Sequence, residues 1–470
     1  MIIAVVGSGG KTTRIHKLTE KYRAEGKKVF VTTTTHMLAE EDCDLSGNVE
    51  VICKKLETKG YCMAGMPAEH GKIKSLPKQV YERVCAHADV VLVEADGSKG
   101  LPVKYPAQHE PVIPDNADTV HVITGLSALG RPLKEVSHRK ELVMDCLGMT
   151  EDGIIMPIHL LKLLKEGYLE PLRKKYTGKK IEVHPGQVNT LYERAVAQFL
   201  KEEQDPSVLN PAWFETKPKL MILGGGHVGS QVAHLGQFLD FEVTVVDDRE
   251  EFANKNTIPD ADHIFCHSFE NIEELFPVDK NVFYVVVTRG HAADKLCVQK
   301  ILEKDCYTYV GMIGSRLKVQ KTMEALEKEG FGSMQLAKIH APIGIRIGGR
   351  TPQEIALSIA AELVQEKNKN TSSTLSAELM NTKESGVLCI ITEKTGSSPR
   401  GEGSMMLVTD KEIMGSIGGG VLENAVIKYA RKTSAVSYES FHLSNEESKN
   451  LGMICGGTNR ILFVPLRDGF

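Results

Sequence analysis

The opening run, "MIIAVVGSGGKTTRIHKLTEKYRAEGKKVFVTTTT", constrains the fold more tightly than any other. A short apolar strand ("IIAVV") meets a glycine loop ("GSGGKT"), a polar-apolar helix follows, and a second strand ("KKVFVTTTT") closes the unit. Later apolar runs "VVLVEA" and "VHVIT" have the length of buried parallel strands, so the spacing predicts an α/β domain. The alternation restarts at "KLMILGGG" and passes through a helix, "FEVTVVD", "HIFC", "VFYVVVTRG", a helix and "YTYVGMIGS". That is a second doubly wound pattern. The last part differs, with β-rich runs "GVLCIITE", "SMMLVTD" and "RILFVPL" broken by glycines and one helix near 421 to 432.

In the first loop Gly7, Gly9, Gly10, Lys11, Thr12 and Thr13 stand between strand and helix. Glycines let backbone N–H groups face a phosphate, the helix N-terminus adds a favourable dipole, and Lys11 and Thr12 suit terminal phosphates and Mg²⁺. The spacing departs from GxxxxGK[ST], because position 5 is Val, and resembles the shorter loop of Mur-type ligases. Glu94 and Asp96 in "VVLVEADGSKG" are oxygen ligands at a strand end, so Thr12, Glu94 and Asp96 are the expected Mg²⁺ set. ATP or GTP with Mg²⁺ is the expected ligand. A tight turn with an exposed lysine and two carboxylates capping a strand is the alternative. Hydrolysis stays open, since spacing names no residue for the attacking water. The run Thr32 to His36 ends on the same sheet edge and suits either a ligand or a plain strand end.

Two runs lose apolar periodicity and read as linkers, 202 to 218 and 365 to 385. The expected division is a P-loop-like nucleotide-binding α/β domain at 1–203, a Rossmann-type doubly wound domain at 217–366 and a small β-rich C-terminal domain at 384–470.

In the second domain Gly224, Gly226 and Gly229 form GxGxxG directly after an apolar strand, and Asp247 follows 23 residues after Gly224. An acid there accepts from a ribose 2′-hydroxyl, which predicts NAD or another adenosine ligand over NADP, unless the domain serves as scaffold. His227 lies where a pyrophosphate would pass. Arg289 and His291, Arg316, and then Arg346 and Arg350 sit on successive strand-end loops, suiting either an anionic ligand or surface ion pairs. "TPQE" marks a helix start with Thr351 as cap.

In the last part Gly418, Gly419 and Gly420 offer an anion cradle between strand and helix, while Ser398 and Arg400 in "TGSSPR" supply a hydroxyl and a fixed charge. Glycine-shaped turns are the alternative. Cys455 in "MICGG" is flanked by two glycines that remove bulk and bare N–H groups, a setting for a soft-metal ligand or chalcogen transfer. A buried structural thiol is the competing reading.

The runs "LGGGHVG", "VVDDR", "TRGH", "MIGSR", "HAPIGIRIGGRTPQEIA", "EKTGSSPRGEGSMMLV", "GSIGGGVLE" and "MICGG" resemble the XdhC/CoxI family of molybdenum hydroxylase accessory proteins. Here the segment with "TGSSPR" and "CGG" follows the Rossmann part, where the familiar order has it first. The runs "VGSGGKTT", "VTTTTHM", "VEADGSKGLPVK", "HEPVIP", "TGLSALGRPL" and "SHRKE" resemble YqeC-type proteins associated with selenium-dependent hydroxylases. Together the resemblances imply a maturation factor, or chaperone, that binds molybdenum cofactor (molybdopterin) and assists its sulfur or selenium modification or its insertion. They imply an apo-hydroxylase as partner, with a cysteine desulfurase or selenium donor protein and a homodimer as further options.

Two rivals remain, an ATP-dependent ligase or transferase acting on a cofactor or selenium species, and an NAD-dependent oxidoreductase. With 57 Lys and Arg against 61 Asp and Glu, net charge -4, nucleic acid is not an expected partner. Ten scattered cysteines without a CxxC pair argue against disulfides and structural zinc. No run of about 18 apolar residues is present to span a bilayer, and the expected location is the cytoplasm.

Overall fold

The computed structural model describes residues 1–214, 217–277, 281–370, 375, 377–396, 400–442 and 457–467. The first strands are β1 (Ile2–Gly7), β2 (Val29–Thr33), β3 (His36–Leu38), β4 (Tyr61–Met63), β5 (Met66–Pro67), β6 (Lys72–Lys74), β7 (Val90–Glu94), β8 (Val103–Lys104), β9 (Thr119–Gly125), β10 (Ser137–His138) and β11 (Lys180–Gly186). Six of them form a parallel sheet in the order β11-β9-β1-β7-β2-β4. Its central strands β1, β7 and β2 are apolar runs because both faces are covered: Val5, Val31 and Leu92 pack under helix α1 (Lys11–Ala24), while Phe30, Val91 and Val93 pack under Ile52 and Leu56. The neighbours of β1 are β7 on one side and the later β9 on the other, so the chain changes direction there. Ligand crevices open at such a point, beyond the carboxyl ends of the strands. A small antiparallel sheet, β3-β6-β5, stands apart from the large one.

Next come β12 (Lys219–Leu223), β13 (Glu242–Asp247), β14 (His263–Cys266), β15 (Val282–Val286), β16 (Tyr309–Met312) and β17 (Ile339–His340). All pair in parallel, in the order β14-β13-β12-β15-β16-β17. This is the doubly wound dinucleotide-binding order, with separate cores on the two faces. The helix Pro352–Asn370 starts where "TPQE" predicts: Glu354 N donates to Thr351 Oγ1 at 3.3 Å, and Thr351 N donates back to Glu354 Oε2 at 3.1 Å.

The last strands, β18 (Gly386–Gly396), β19 (Met405–Val408), β20 (Ile413–Gly415), β21 (Ser437–His442) and β22 (Gly457–Leu466), form an antiparallel sheet in the order β20-β19-β18-β22-β21. The helix Gly420–Ala430 covers it through Leu422, Val426 and Ala430. The protein is therefore α/β in two parallel six-stranded sheets with an antiparallel β part.

The chain forms two compact units, Met1–Pro211 with Glu378–Phe470, and Ala212–Ala377. Within the first, the helix Leu191–Lys201 and its cap residue Glu202 bond to the later segment of the same unit. Buried Arg194 donates to Thr382 O at 2.9 Å and Glu384 O at 2.7 Å, and Val436 N donates to Glu202 Oε2 at 2.9 Å. Among the described residues, no helix is long and apolar enough to cross a membrane.

Candidate functional site

The glycine loop after β1 is compressed against its neighbours. Gly7 (φ 92°) and Gly9 (φ 74°) lie in the left-handed region, and a Cβ on them would come within 2.0 Å of Ile123 O and 2.4 Å of Gly125 Cα. Only glycine fits, because the loop is threaded beside the ends of β9. Gly10 precedes α1, whose first residues are Lys11, Thr12 and Thr13.

Lys11 folds back over this loop and is 4% exposed. Its Nζ donates to Gly7 O at 2.8 Å and Ser98 Oγ at 3.2 Å, and it lies 3.8 Å from Glu94 Oε1 at the end of β7. Burial pulls the Lys11 ammonium below its ordinary value, against the pull of Glu94. Burial likewise pushes the Glu94 carboxyl up to about 6, and the positive charge of Lys11 only partly offsets this. The pair is thus desolvated, with each charge the other's main compensation.

Glu94 and Asp96 have different surroundings. Glu94, Gly9, Gly10, Lys11, Thr12 and Thr13 all line one cavity of about 1080 Å³. Asp96 is fully buried: Oδ2 accepts from Gly7 N at 3.1 Å and from Tyr168 Oη at 2.8 Å, and Oδ1 accepts from Lys104. Lys104, itself buried, also donates to Gly97 O at 2.7 Å and Glu110 Oε2 at 2.8 Å, and Arg139 Nη2 donates to Glu110 Oε1 at 2.9 Å. Asp96 therefore anchors the loop from beneath, through an ion network that ends at the cavity wall in Glu110 and Arg139.

Residue-by-residue reading of the sequence assigns Lys104, Glu110, Arg139 and Tyr168 no role. The first three stand in the runs "LPVK", "HEPVIP" and "SHRKE".

A second hollow, about 150 Å³, opens on the other side of the loop and shares Gly10, Thr13 and Gln187 with the first. Behind it, His121, Glu182 and His184 bring one ligand atom each within 4.8 Å of one another. β9 and β11 pair His121 with Glu182, and His184 follows two residues on, so all three share one sheet face. Arg14 fills this cluster. Its Nε donates to His121 Nδ1 at 3.4 Å, which leaves the Nε2 hydrogen of His121 directed at Glu182, 3.2 Å away, and its Nη2 lies 3.3 Å from His184 Nε2. Burial, then His184 and Arg14, hold the His121 ring down at about 3, and burial with Arg14 holds His184 at about 4. The cluster is a neutral-histidine network capped by an arginine.

In the second unit, Gly224 and Gly229 serve close packing: a Cβ on Gly229 would lie 1.9 Å from Gly224 O. Gly226 has open space, and His227 is exposed at the first turn of the helix His227–Phe238. Asp247 accepts from Gly225 N at 2.8 Å and from Arg249 through N at 3.1 Å, Nε at 2.9 Å and Nη2 at 3.0 Å. The acid expected to meet a ribose is thus already paired on both oxygens. Arg289, Arg316, Arg346 and Arg350, with His291, are exposed on loops or helix starts following β15, β16 and β17. In the C-terminal sheet, Glu423 occupies the glycine cradle. Its Oε1 accepts from Ser416 Oγ at 2.5 Å and Ile417 N at 3.0 Å, and the amides of Gly418 and Gly419 add to its hold, so the carboxyl stays below its usual range despite burial. Gly420 begins the helix, and Arg400 is half-buried. Ser398 and Cys455 lie outside the described residues.

Comparison with known proteins divides the chain along the same lines. YqeC protein matches residues 3–141, the XdhC Rossmann domain matches 220–363, and the XdhC and CoxI family matches 379–438. YqeC of Escherichia coli (strain K12) is 32% identical over 176 residues, covering 35% of this chain and 67% of YqeC. YqeB of the same strain is 32% identical over 153 residues, covering 32% of this chain and 28% of YqeB. A probable xanthine dehydrogenase subunit of Bacillus subtilis (strain 168) is 25% identical over 155 residues, covering 33% of this chain and 44% of that protein. This chain belongs to the YqeC family through its N-terminal domain, to which an XdhC Rossmann domain and an XdhC and CoxI family segment are fused.

Proposed function

We propose that this chain is an accessory protein for maturation of a molybdenum hydroxylase of the xanthine dehydrogenase type, driven by nucleotide binding in its N-terminal domain. Kinship with XdhC proteins, and with a relative named as a probable component of xanthine dehydrogenase, supports the hydroxylase as partner. The observation that carries the nucleotide part is the buried Lys11–Glu94 pair, 3.8 Å apart, at the mouth of the glycine loop. The residues fit a nucleoside triphosphate with Mg²⁺. Loop amides and Lys11 take the phosphates, and Thr12 and Glu94, which line the cavity, take the cation. Asp96 stays in its network and positions the loop. The second hollow leaves room for the nucleoside end, reached across Gly10 and Thr13.

Bound Mg²⁺ would supply charge neutralisation on the phosphates. Lys11 orients them, and Glu94 must be ionised to hold the cation, so affinity for the Mg²⁺-nucleotide complex rises with pH. Below about 6 the carboxyl is protonated, and the expected loss approaches tenfold per pH unit on the acid side. Calorimetric titrations of the Mg²⁺ complex at pH 5, 6 and 7.5 check this; a flat profile would remove Glu94 from the metal.

The glycine cradle at Gly418–Gly420 does not fit an added phosphate as it stands, because Glu423 holds its amides. No cofactor step is derived through it. In the Rossmann unit the Asp247–Arg249 pairing weighs against NAD as a reactant. The cofactor role is testable directly. The purified full-length chain, incubated with molybdopterin released from a hydroxylase and then desalted, is expected to retain pterin, read as oxidised-pterin fluorescence. Pterin recovered only in the small-molecule fraction would overturn the role.

A further inference from the structure

The small sheet β3-β6-β5 has two unlike faces. Side chains alternate along a strand, so the paired Met37 and Ile73 point into the core at 5% and 0% exposure. On the opposite face Leu38 pairs with Lys72, and His36 with Lys74. All four line the large cavity, and Leu38 is 68% exposed within it. Neither Lys72 nor Lys74 makes an ion pair among the described residues, although Lys72 is near enough to Glu94 to act on its charge. Across the cavity, Arg139 is held at φ 59°, a conformation uncommon outside glycine. One of its terminal nitrogens is spent on Glu110, and its Nε is buried without a partner among the described residues. Strained residues with unspent buried donors concentrate at ligand clamps.

The space also exceeds what one nucleotide needs. A triphosphate on the Gly9–Thr13 loop fills one end of the 1080 Å³ cavity, its nucleoside end has the second hollow, and pockets of about 300–1,000 Å³ already hold whole drug-sized ligands. We infer that the His36, Leu38, Lys72 and Lys74 face, with Arg139 opposite, is the subsite of a second substrate, a phosphomonoester on an apolar ring-sized body, bound beside the nucleotide. The lysines and Arg139 take the phosphate, and Leu38 takes the body. The inference rests on the nucleotide reading of the same cavity.

Flavin mononucleotide, a heterocycle carrying one phosphomonoester, is a suitable probe, with riboflavin as its phosphate-free counterpart. Fluorescence anisotropy with the full chain, saturated with a non-hydrolysable ATP analogue and Mg²⁺, should show flavin mononucleotide binding at least about tenfold tighter than riboflavin, in line with charge-assisted hydrogen bonds. At about pH 8, where Glu94 stays ionised with or without Lys72, the double variant Lys72→Ala, Lys74→Ala should lose about tenfold for flavin mononucleotide while holding the ATP analogue within about twofold. Lys11→Ala should do the reverse. Equal binding of the two flavins, displacement of flavin mononucleotide by the ATP analogue, or wild-type affinity in the double variant would each overturn the inference. Lysine-dependent flavin mononucleotide binding in a protein that takes no ATP analogue would keep the phosphomonoester subsite and remove the nucleotide reading.

Discussion

Lys104→Met is expected to destabilise the first unit by about 3–5 kcal/mol, the cost of stranding buried charges. Lys104 is the sole cation in direct contact with Asp96 among the described residues, and it also holds Glu110. Methionine fills similar volume and leaves the fully buried Asp96 carboxylate without a cation. Asp96 keeps only the Gly7 amide and Tyr168, and Glu110 keeps Arg139 and the Ala107 amide. At this size the loss corresponds to a melting shift of roughly ten degrees, readable by scanning calorimetry of the full chain. The exposed pair Lys134–Asp152 is the control, since Lys134→Met should leave the melting temperature nearly unchanged. Equal shifts in the two variants would mean that the network does not hold the loop.

Lys11→Ala is expected to weaken binding of the Mg²⁺-nucleotide complex roughly 10- to 100-fold, the range for one lost hydrogen bond to a charged group. A second effect adds to it. Lys11 is the largest influence opposing the burial of Glu94, so its removal moves that carboxyl further up and withdraws the cation's ligand at neutral pH. The variant's remaining affinity should therefore rise more steeply with pH than that of the wild type. Lys11→Arg restores the charge without restoring the reach to Gly7 O, and should recover only part of the loss. Wild-type affinity in Lys11→Ala would place the nucleotide elsewhere.

The fold was legible where a single local pattern specified it. The strand-glycine-helix runs at Gly7 and Gly224 announce parallel sheets, and both glycine sets prove to be places where a side chain would strike backbone. The capping run at Thr351 starts its helix because its signal lies within four residues. What the sequence hid is which polar groups pair with which, near or far along the chain. Asp96 looks like a twin of Glu94 until Lys104 and Tyr168 fold onto it. Asp247 looks like a free ribose ligand until Arg249, two residues on, turns back to hold it. The GGG run looks like an open anion cradle, yet Glu423, in sequence only an acid at a helix start, supplies the anion itself. The cluster of His121, Glu182 and His184 has no sequence signal, because two strands about 60 positions apart must pair in register to assemble it. Charged side chains choose their partners through tertiary structure, and periodicity reports only on apolar faces.

Native mass spectrometry of the wild-type chain with a non-hydrolysable ATP analogue, in Mg²⁺ and in chelator, tests the central claim most directly. One nucleotide per chain, bound in Mg²⁺ and largely lost in chelator, is the predicted result, because the loop at Gly9–Thr13 has the lysine and carboxylate it needs while Asp247 is already paired. No bound nucleotide at millimolar analogue, or binding indifferent to Mg²⁺, would contradict it.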